Sequence, residues 1–247
     1  TAVLARLDVE NRPYYIAESN GWQPDVADIA AKIDEHTRAI VLINPNNPTG
    51  SLCDTDTLEA IIELAIEHNL VIFSDEIYDK LVFDGKQHVS TAALSQEAKI
   101  ITFNGLSKAY VVPGFRIGWG IVSGPADELA QYCEAIRKME RARLSANHPE
   151  QHAIPAALDA DQSHLGPIME RLRRQRDVTV EGLNAIPGIS CVPPAGAFYA
   201  FPRIELGVDD ETFCKRVIRE TGVVVVPGSG FGQRPGTQHF RVLFLPE

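Results

Sequence analysis

Three short, apolar-rich runs, residues 39–43, 70–73 and 100–103, the last interrupted only by Thr102, set the strongest limit on how this chain can fold. A run of four or five apolar residues with no polar alternation predicts a strand buried on both faces. Between the first two runs, Leu58, Ile61, Ile62, Ala65 and Ile66 recur at spacings of three and four. This predicts an amphipathic helix over residues 55–68, started near Asp54 or Asp56. Strand, helix and strand in that order imply a right-handed crossover and parallel pairing. The chain is therefore read as α/β, with a mainly parallel sheet. Ligands of open α/β sheets sit beyond the carboxyl ends of the strands, so chemistry is expected in the segments that follow the three runs.

Each of those segments is distinctive. Residues 44–50 read Asn-Pro-Asn-Asn-Pro-Thr-Gly, a loop with fixed turns. Residues 74–78 read Ser-Asp-Glu-Ile-Tyr and leave Asp75 at the end of a buried strand, where a carboxylate needs a cation or hydrogen-bond donors. The plain reading of Asp75 and Glu76 is a helix-capping pair. Residues 104–120 carry Lys108 and Arg116 among glycines and apolar residues, with no acidic neighbour in sequence. An amine in apolar surroundings loses its proton more readily, and the neutral form condenses with aldehydes. A guanidinium stays charged and suits a dianion such as phosphate. An aldehyde and a phosphate in one ligand suggest pyridoxal phosphate. On charge content alone, a solvated loop is the favoured reading of both residues.

The order of residues decides between these readings. Gly105-Leu106-Ser107-Lys108 and Gly114-Phe115-Arg116-Ile117-Gly118 resemble the lysine-attachment signature of the class I/II (fold-type I) pyridoxal phosphate-dependent aminotransferases. Residues 44–50 resemble the Asn-Pro-x-x-Pro-Thr-Gly loop of the same family. The resemblance covers nearly the whole chain, and residues 44–50, 75–80, 104–110 and 151–154 bring it closest to the bacterial alanine aminotransferase group. It implies that Lys108 is the cofactor-attachment and catalytic residue, that Asp75 keeps the ring nitrogen protonated, and that Arg116 anchors the phosphate. It further places Tyr78 and Asn47 at the 3′-oxygen of the ring, and Asn47 with Arg241 at the substrate carboxylate. Glu76 is left as a structural or solvated acid. Arg143 either compensates a helix dipole or reaches the site of a neighbouring subunit in a homodimer. One departure stands out: many members carry a phosphate-binding Ser where this chain has Gly105.

The implied substrates are an amino acid and a 2-oxo acid, with alanine or glutamate and pyruvate or 2-oxoglutarate first. An aspartate or aromatic aminotransferase, a β-lyase, or an aminotransferase-like sensor domain of a regulator would use the same residues. The resemblance also implies a large cofactor-binding domain over residues 1–165 and a smaller C-terminal α/β domain over residues 166–247. The first residue is Thr1 and the chain stops just past a predicted strand, so both ends read as cut, with a phosphate loop and a ring-stacking aromatic expected upstream.

Composition bounds the partners. The 247 residues are 45% hydrophobic and 23% charged, with a net charge of −10 that disfavours nucleic acid and anionic membrane. No run has transmembrane length and no signal peptide is visible. Cys53, Cys133, Cys191 and Cys214 are scattered, which argues for free thiols and a cytoplasmic protein rather than a zinc site or disulfide framework. His148 and His152 flank Pro149 and lack the His-Glu-x-x-His order, which argues against a metal.

The remaining expectations are local. Short strands are read at 3–7 and 14–16, and a helix capped by Asp25 puts Val26, Ile29, Ala30 and Ile33 on one face. A buried strand is read at 117–122, helices at 125–143 and 168–185, strands at 196–201 and 223–226, and a flexible loop at 227–232. In the last strand, residues 240–245, Arg241 is the one charge on two apolar faces and needs an anion.

Overall fold

The structure is a computed structural model that describes residues 2–245. Pro246 and Glu247, which close the last predicted stretch, lie outside the described residues. The chain opens with α1 (Ala2–Arg6), where a short strand is expected; Ala, Leu and Arg are good helix formers, and no partner strand is at hand to override them. β1 (Ile16–Ala17) pairs antiparallel with β2 (Gln23–Pro24). The expected strand at 14–16 begins later, at Ile16, where the backbone finds its partners in Gln23 and Pro24, while the Tyr14 hydroxyl donates to the Val41 carbonyl at 2.9 Å. Asp25 caps α2 (Val26–Lys32) as expected, accepting from the Asp28 N–H.

The centre of the molecule is a four-stranded sheet. Its members are β3 (Ala39–Ile43), β4 (Val71–Asp75), β5 (Lys99–Gly105) and β6 (Gly118–Ser123), in that order, with the crossover helix α3 (Thr55–Glu67) between the first two. β3, β4 and β5 are parallel and β6 is antiparallel. Asp54 caps α3 by accepting from the Thr57 N–H. Leu58, Ile61, Ile62 and Ala65 of α3 pack on Ile40, Leu42, Ile72 and Ile100, which share one face of the sheet. Ile66 falls off that stripe and is exposed.

Burial on both faces does not hold. The face opposite α3 carries Val41, 50% exposed, and Phe103, 41% exposed, because there the sheet forms the wall of a cleft. β6 is likewise not a buried strand: it is an edge strand and its Ile121 is 55% exposed.

Helices α4 (Ala126–Arg141), α5 (His148–Gln151), α6 (Ala153–Asp159) and α7 (Leu165–Asn184) follow. α7 starts three residues before the predicted 168. The C-terminal part contains β7 (Ile189–Ser190), β8 (Tyr199–Ala200), β9 (Arg203–Ile204), α8 (Asp210–Thr221), β10 (Val226–Pro227) and β11 (Phe240–Leu243). β11 lies between β10 and β8 in an antiparallel sheet, and β7 pairs with β9. Two predicted strands shrink here. Val223 and Val224 are exposed rather than paired, and of residues 196–201 only Tyr199 and Ala200 form a strand, while Gly196 bridges to Val82.

That bridge belongs to a second apolar cluster, in which Tyr78, Leu81 and Phe83 meet Leu172, Phe198, Tyr199 and Phe244. Beside it, the buried Arg176 of α7 donates to Asp84 at 2.6 and 3.0 Å, to Asp177 at 2.8 Å and to the Pro194 carbonyl at 3.3 Å. The segment after β4 is therefore packed into the C-terminal elements. All four cysteines are free thiols. Among the described residues no helix is long and apolar enough to cross a membrane.

Candidate functional site

The loop after β3 is held by its own side chains. Asn46 Oδ1 accepts from the Thr49 hydroxyl at 2.9 Å, and Asn44 Oδ1 accepts from the Cys53 N–H at 2.9 Å. Gly50 has a φ of +68°, and a Cβ there would lie 2.5 Å from Pro194 Cβ, so the position takes glycine alone. The Gly50 carbonyl accepts from the N–H groups of Ala195 and Gly196, at 2.9 and 2.8 Å. The loop is thereby fastened to the segment that leads into β8.

Five predicted residues meet beyond the strand ends. Asn47, Asp75, Tyr78, Lys108 and Arg116 line one cleft of about 560 Å³, together with Val41, Ile43, Phe73, Phe103, Asn104 and Ser107. Lys108 Nζ lies 5.6 Å from the ring centre of Tyr78 and 5.4 Å from that of Phe198. Asp75, at the end of β4, accepts from the Ile77 N–H at 3.2 Å. Burial pushes its carboxyl above the ordinary value, opposed by that N–H and by the charge of Lys108. A lysine without acidic neighbours in sequence thus has one across the sheet.

Tyr78 is buried, and its hydroxyl lies 3.0 Å from the Tyr199 hydroxyl. Burial, and then the bond to Tyr199, push the phenol well above its usual range. Arg116 sits in a left-handed turn, φ 53°, and donates to the Pro113 carbonyl at 2.9 Å. Next to it, the Phe115 carbonyl accepts from Asn147 at 3.2 Å, and Asn147 in turn accepts from Arg143 at 3.2 Å. Arg143 lies just past the end of α4 and, within this chain, braces the Arg116 segment.

Arg241 joins the site through Asn47, whose Oδ1 accepts from Nη1 at 2.9 Å. Its guanidinium lies 4.7 Å from the Tyr199 ring centre and 4.8 Å from that of Phe231. Glu76 is a structural acid and not a solvated one: it is buried and accepts from the hydroxyls of Ser74 and Ser90 and the N–H of Thr91, at 2.9, 3.1 and 3.0 Å.

The loop at 227–232, expected to be flexible, is a 3₁₀ turn over Gly228–Phe231. The buried Asp210 of α8 pins it, accepting from the Ser229 N–H at 2.5 Å and from Gln233 Nε2 at 3.0 Å. Gly105 also gains a reason. A Cβ there would lie 2.8 Å from the Ile117 carbonyl, so the close approach of β5 and β6 leaves no room for a serine.

Sequence reasoning missed Phe198, Tyr199 and Phe231. Each reaches the site from a distant segment, and only their aromatic character was available as a signal.

The cleft gathers an amine, a carboxylate, a phenol, an amide and a guanidinium beyond the carboxyl ends of parallel strands, the place where α/β proteins with open sheets bind their ligands. The chain belongs to the family of class I and II aminotransferases, whose sequence profile matches residues 2–247. It is 43% identical to the alanine aminotransferase of Mycobacterium tuberculosis, over 94% of this chain and 56% of that protein. It is 45% identical to the glutamate-pyruvate aminotransferase AlaA of Escherichia coli, over 94% of this chain and 59% of that protein. The solved structure of an alanine aminotransferase from Pyrococcus furiosus superposes with a TM-score of 0.96 at 42% identity, over 100% of this chain and 63% of that one. The chain therefore spans somewhat more than half the length of these relatives.

Proposed function

We propose that this protein is a pyridoxal phosphate-dependent aminotransferase that moves an amino group between alanine or glutamate and pyruvate or 2-oxoglutarate. The observation that carries the reading is the meeting of Asn47, Asp75, Tyr78, Lys108 and Arg116 in one cleft, with Arg241 bonded to Asn47 at its edge. The names of the similar proteins support the substrate choice.

The residues fit the cofactor. Asp75 is a carboxyl lifted by burial and satisfied by one backbone N–H, a good receptor for a cationic ring N–H. Arg241 Nε is a buried donor with no hydrogen-bond partner among the described residues, a receptor for a carboxylate. When bound, the cofactor supplies an electron-accepting ring that makes the Cα–H of an attached amino acid acidic.

The remaining work falls to the chain. Lys108 would hold the cofactor through its amine and would be the acid and base that moves the proton at Cα. Asp75 maintains the charge on the ring nitrogen. Tyr78 and Asn47 donate toward the 3′-oxygen, and Arg116 pairs with the phosphate. Arg241 orients the substrate by bidentate pairing with its carboxylate.

The reading includes a large cofactor-binding domain over residues 1–165 and a small domain over 166–247, with α7 carrying the chain from one to the other. It also includes a homodimer in the cytoplasm. Met139 and Leu144, 75% and 92% exposed, are apolar groups suited to a subunit contact, and Arg143 beside them would then face a neighbour's site.

The test is the visible absorption of the whole protein with pyridoxal phosphate. The parent is expected to show a band that Lys108→Ala abolishes, and L-alanine is expected to bleach the parent band with release of pyruvate. A band that survives in Lys108→Ala would overturn the assignment of Lys108. A band indifferent to both alanine and glutamate would overturn the substrates.

A further inference from the structure

The guanidinium of Arg241 lies over two aromatic rings, those of Tyr199 and Phe231, 4.7 and 4.8 Å from their centres. Nη1 is committed to Asn47, and Nε is buried without a hydrogen-bond partner. A planar guanidinium in contact with two rings and bonded at Nη1 cannot turn without leaving one of them, which restricts the direction of its remaining donors.

Both rings are themselves held from behind. Tyr199 lies in β8, opposite Leu243 of β11, with its hydroxyl on that of Tyr78. Phe231 ends the turn that Asp210 pins, and its ring meets Phe201 edge-on with centroids 6.0 Å apart. The turn itself depends on Gly228, where a Cβ would lie 2.5 Å from Gln233 Oε1 and 2.8 Å from the His239 carbonyl.

We propose that Tyr199 and Phe231 are positioning residues that fix the plane of Arg241, so that its unpaired edge meets the carboxylate common to every amino acid and 2-oxo acid substrate. The inference rests on the proposed function in taking Arg241 as the carboxylate receptor. Because both rings contact the guanidinium that receives the group common to all substrates, removing either is expected to weaken all substrates by the same factor. Phe231, which among the described residues has no bond to Tyr78 or Lys108, is the variant expected to leave the chemistry at Lys108 intact.

The experiment uses the whole protein loaded with pyridoxal phosphate and radiolabelled 2-methylalanine, an amino acid with no α-hydrogen, whose dissociation constant is read by equilibrium dialysis. Phe231→Leu and Tyr199→Leu are each expected to weaken binding by roughly 2- to 30-fold. Tyr199→Phe, which keeps the ring, is expected to stay within about twofold of the parent. Phe231→Met, unbranched and without a ring, is expected to follow Phe231→Leu, and KM for alanine and glutamate is expected to rise equally with kcat retained. In an Arg241→Ala background, Phe231→Leu is expected to add nothing.

A loss from Phe231→Leu that persists undiminished in the Arg241→Ala background would overturn the proposal, since the ring would then act other than through Arg241. Unchanged binding in Phe231→Leu would do the same. If Arg241→Ala alone leaves binding unchanged, the reading of Arg241 as carboxylate receptor fails and takes the proposal with it.

Discussion

Gly50→Ala isolates the junction on which the site depends. The substitution forces a side chain into a left-handed backbone at φ +68°, and its Cβ meets Pro194 Cβ at 2.5 Å, the Tyr199 carbonyl at 2.7 Å and the Gly196 carbonyl at 2.8 Å. Relief requires the loop to withdraw from the segment before β8, which stretches the bonds from Ala195 and Gly196 to the Gly50 carbonyl. The backbone contributes about 1–2 kcal/mol, the overpacking about 1–3 kcal/mol and the two hydrogen bonds about 0.5–1.5 kcal/mol each. A loss of about 3–8 kcal/mol is expected, seen as a fall of roughly 6–32 °C in the thermal midpoint by circular dichroism. Gly85→Ala is the control, because Gly85 has a φ of +71° and nothing within 4 Å of an added Cβ. It is expected to lose only the backbone part, about 1–2 kcal/mol. Equal losses in the two variants would refute the argument, since the contact with Pro194 would then contribute nothing.

Two other outcomes follow from the same geometry. Gly105→Ser, which restores the residue common in the family, is expected to lower stability by about 1–3 kcal/mol through the contact with the Ile117 carbonyl; urea unfolding at or above the parent midpoint would contradict this. For Asp75 the sign follows from its raised carboxyl: the folded, cofactor-free state binds this proton more tightly than the unfolded chain, so stability is full below the unfolded value and is lost as pH rises through the folded one. Cofactor-free Asp75→Asn is therefore expected to be more stable than the parent at pH 7, with the advantage gone below about pH 4, while the same variant loaded with the cofactor is expected to lose transaminase activity roughly 100-fold or more. A parent that outlasts the variant at pH 7 in thermal unfolding would reverse the assignment.

The residues that follow strands were legible because strand and function share one signal. Ala39–Ile43 was readable to the residue from its unbroken apolar run, and Asn47, Asp75 and Lys108 were placed by standing just beyond such runs. The caps at Asp25 and Asp54 were legible for the same local reason, a carboxylate three residues before an N–H it can reach. What escaped was set by packing across long stretches of chain. Full burial of the sheet failed at Val41 and Phe103 because one face becomes the cleft wall, which an apolar run cannot reveal. The turn at 228–231 reads as flexible from its glycines, and only the carboxylate of Asp210, far off in sequence, makes it rigid. Tyr199 and Phe231 carry no motif, since their partner Arg241 is reached through the fold alone.

The bond from Arg241 to Asn47 spans 194 positions. A ribosome adding roughly 5–20 residues per second makes Arg241 some 10–40 s after Asn47. From the moment Lys108 is added, the nascent chain holds Asp75 and Lys108 but not yet Arg241, the proposed grip for a carboxylate. The cleft thus gains its amine well before its selectivity, and an aldehyde that meets the growing polypeptide early encounters a lysine not yet restricted to its proper company.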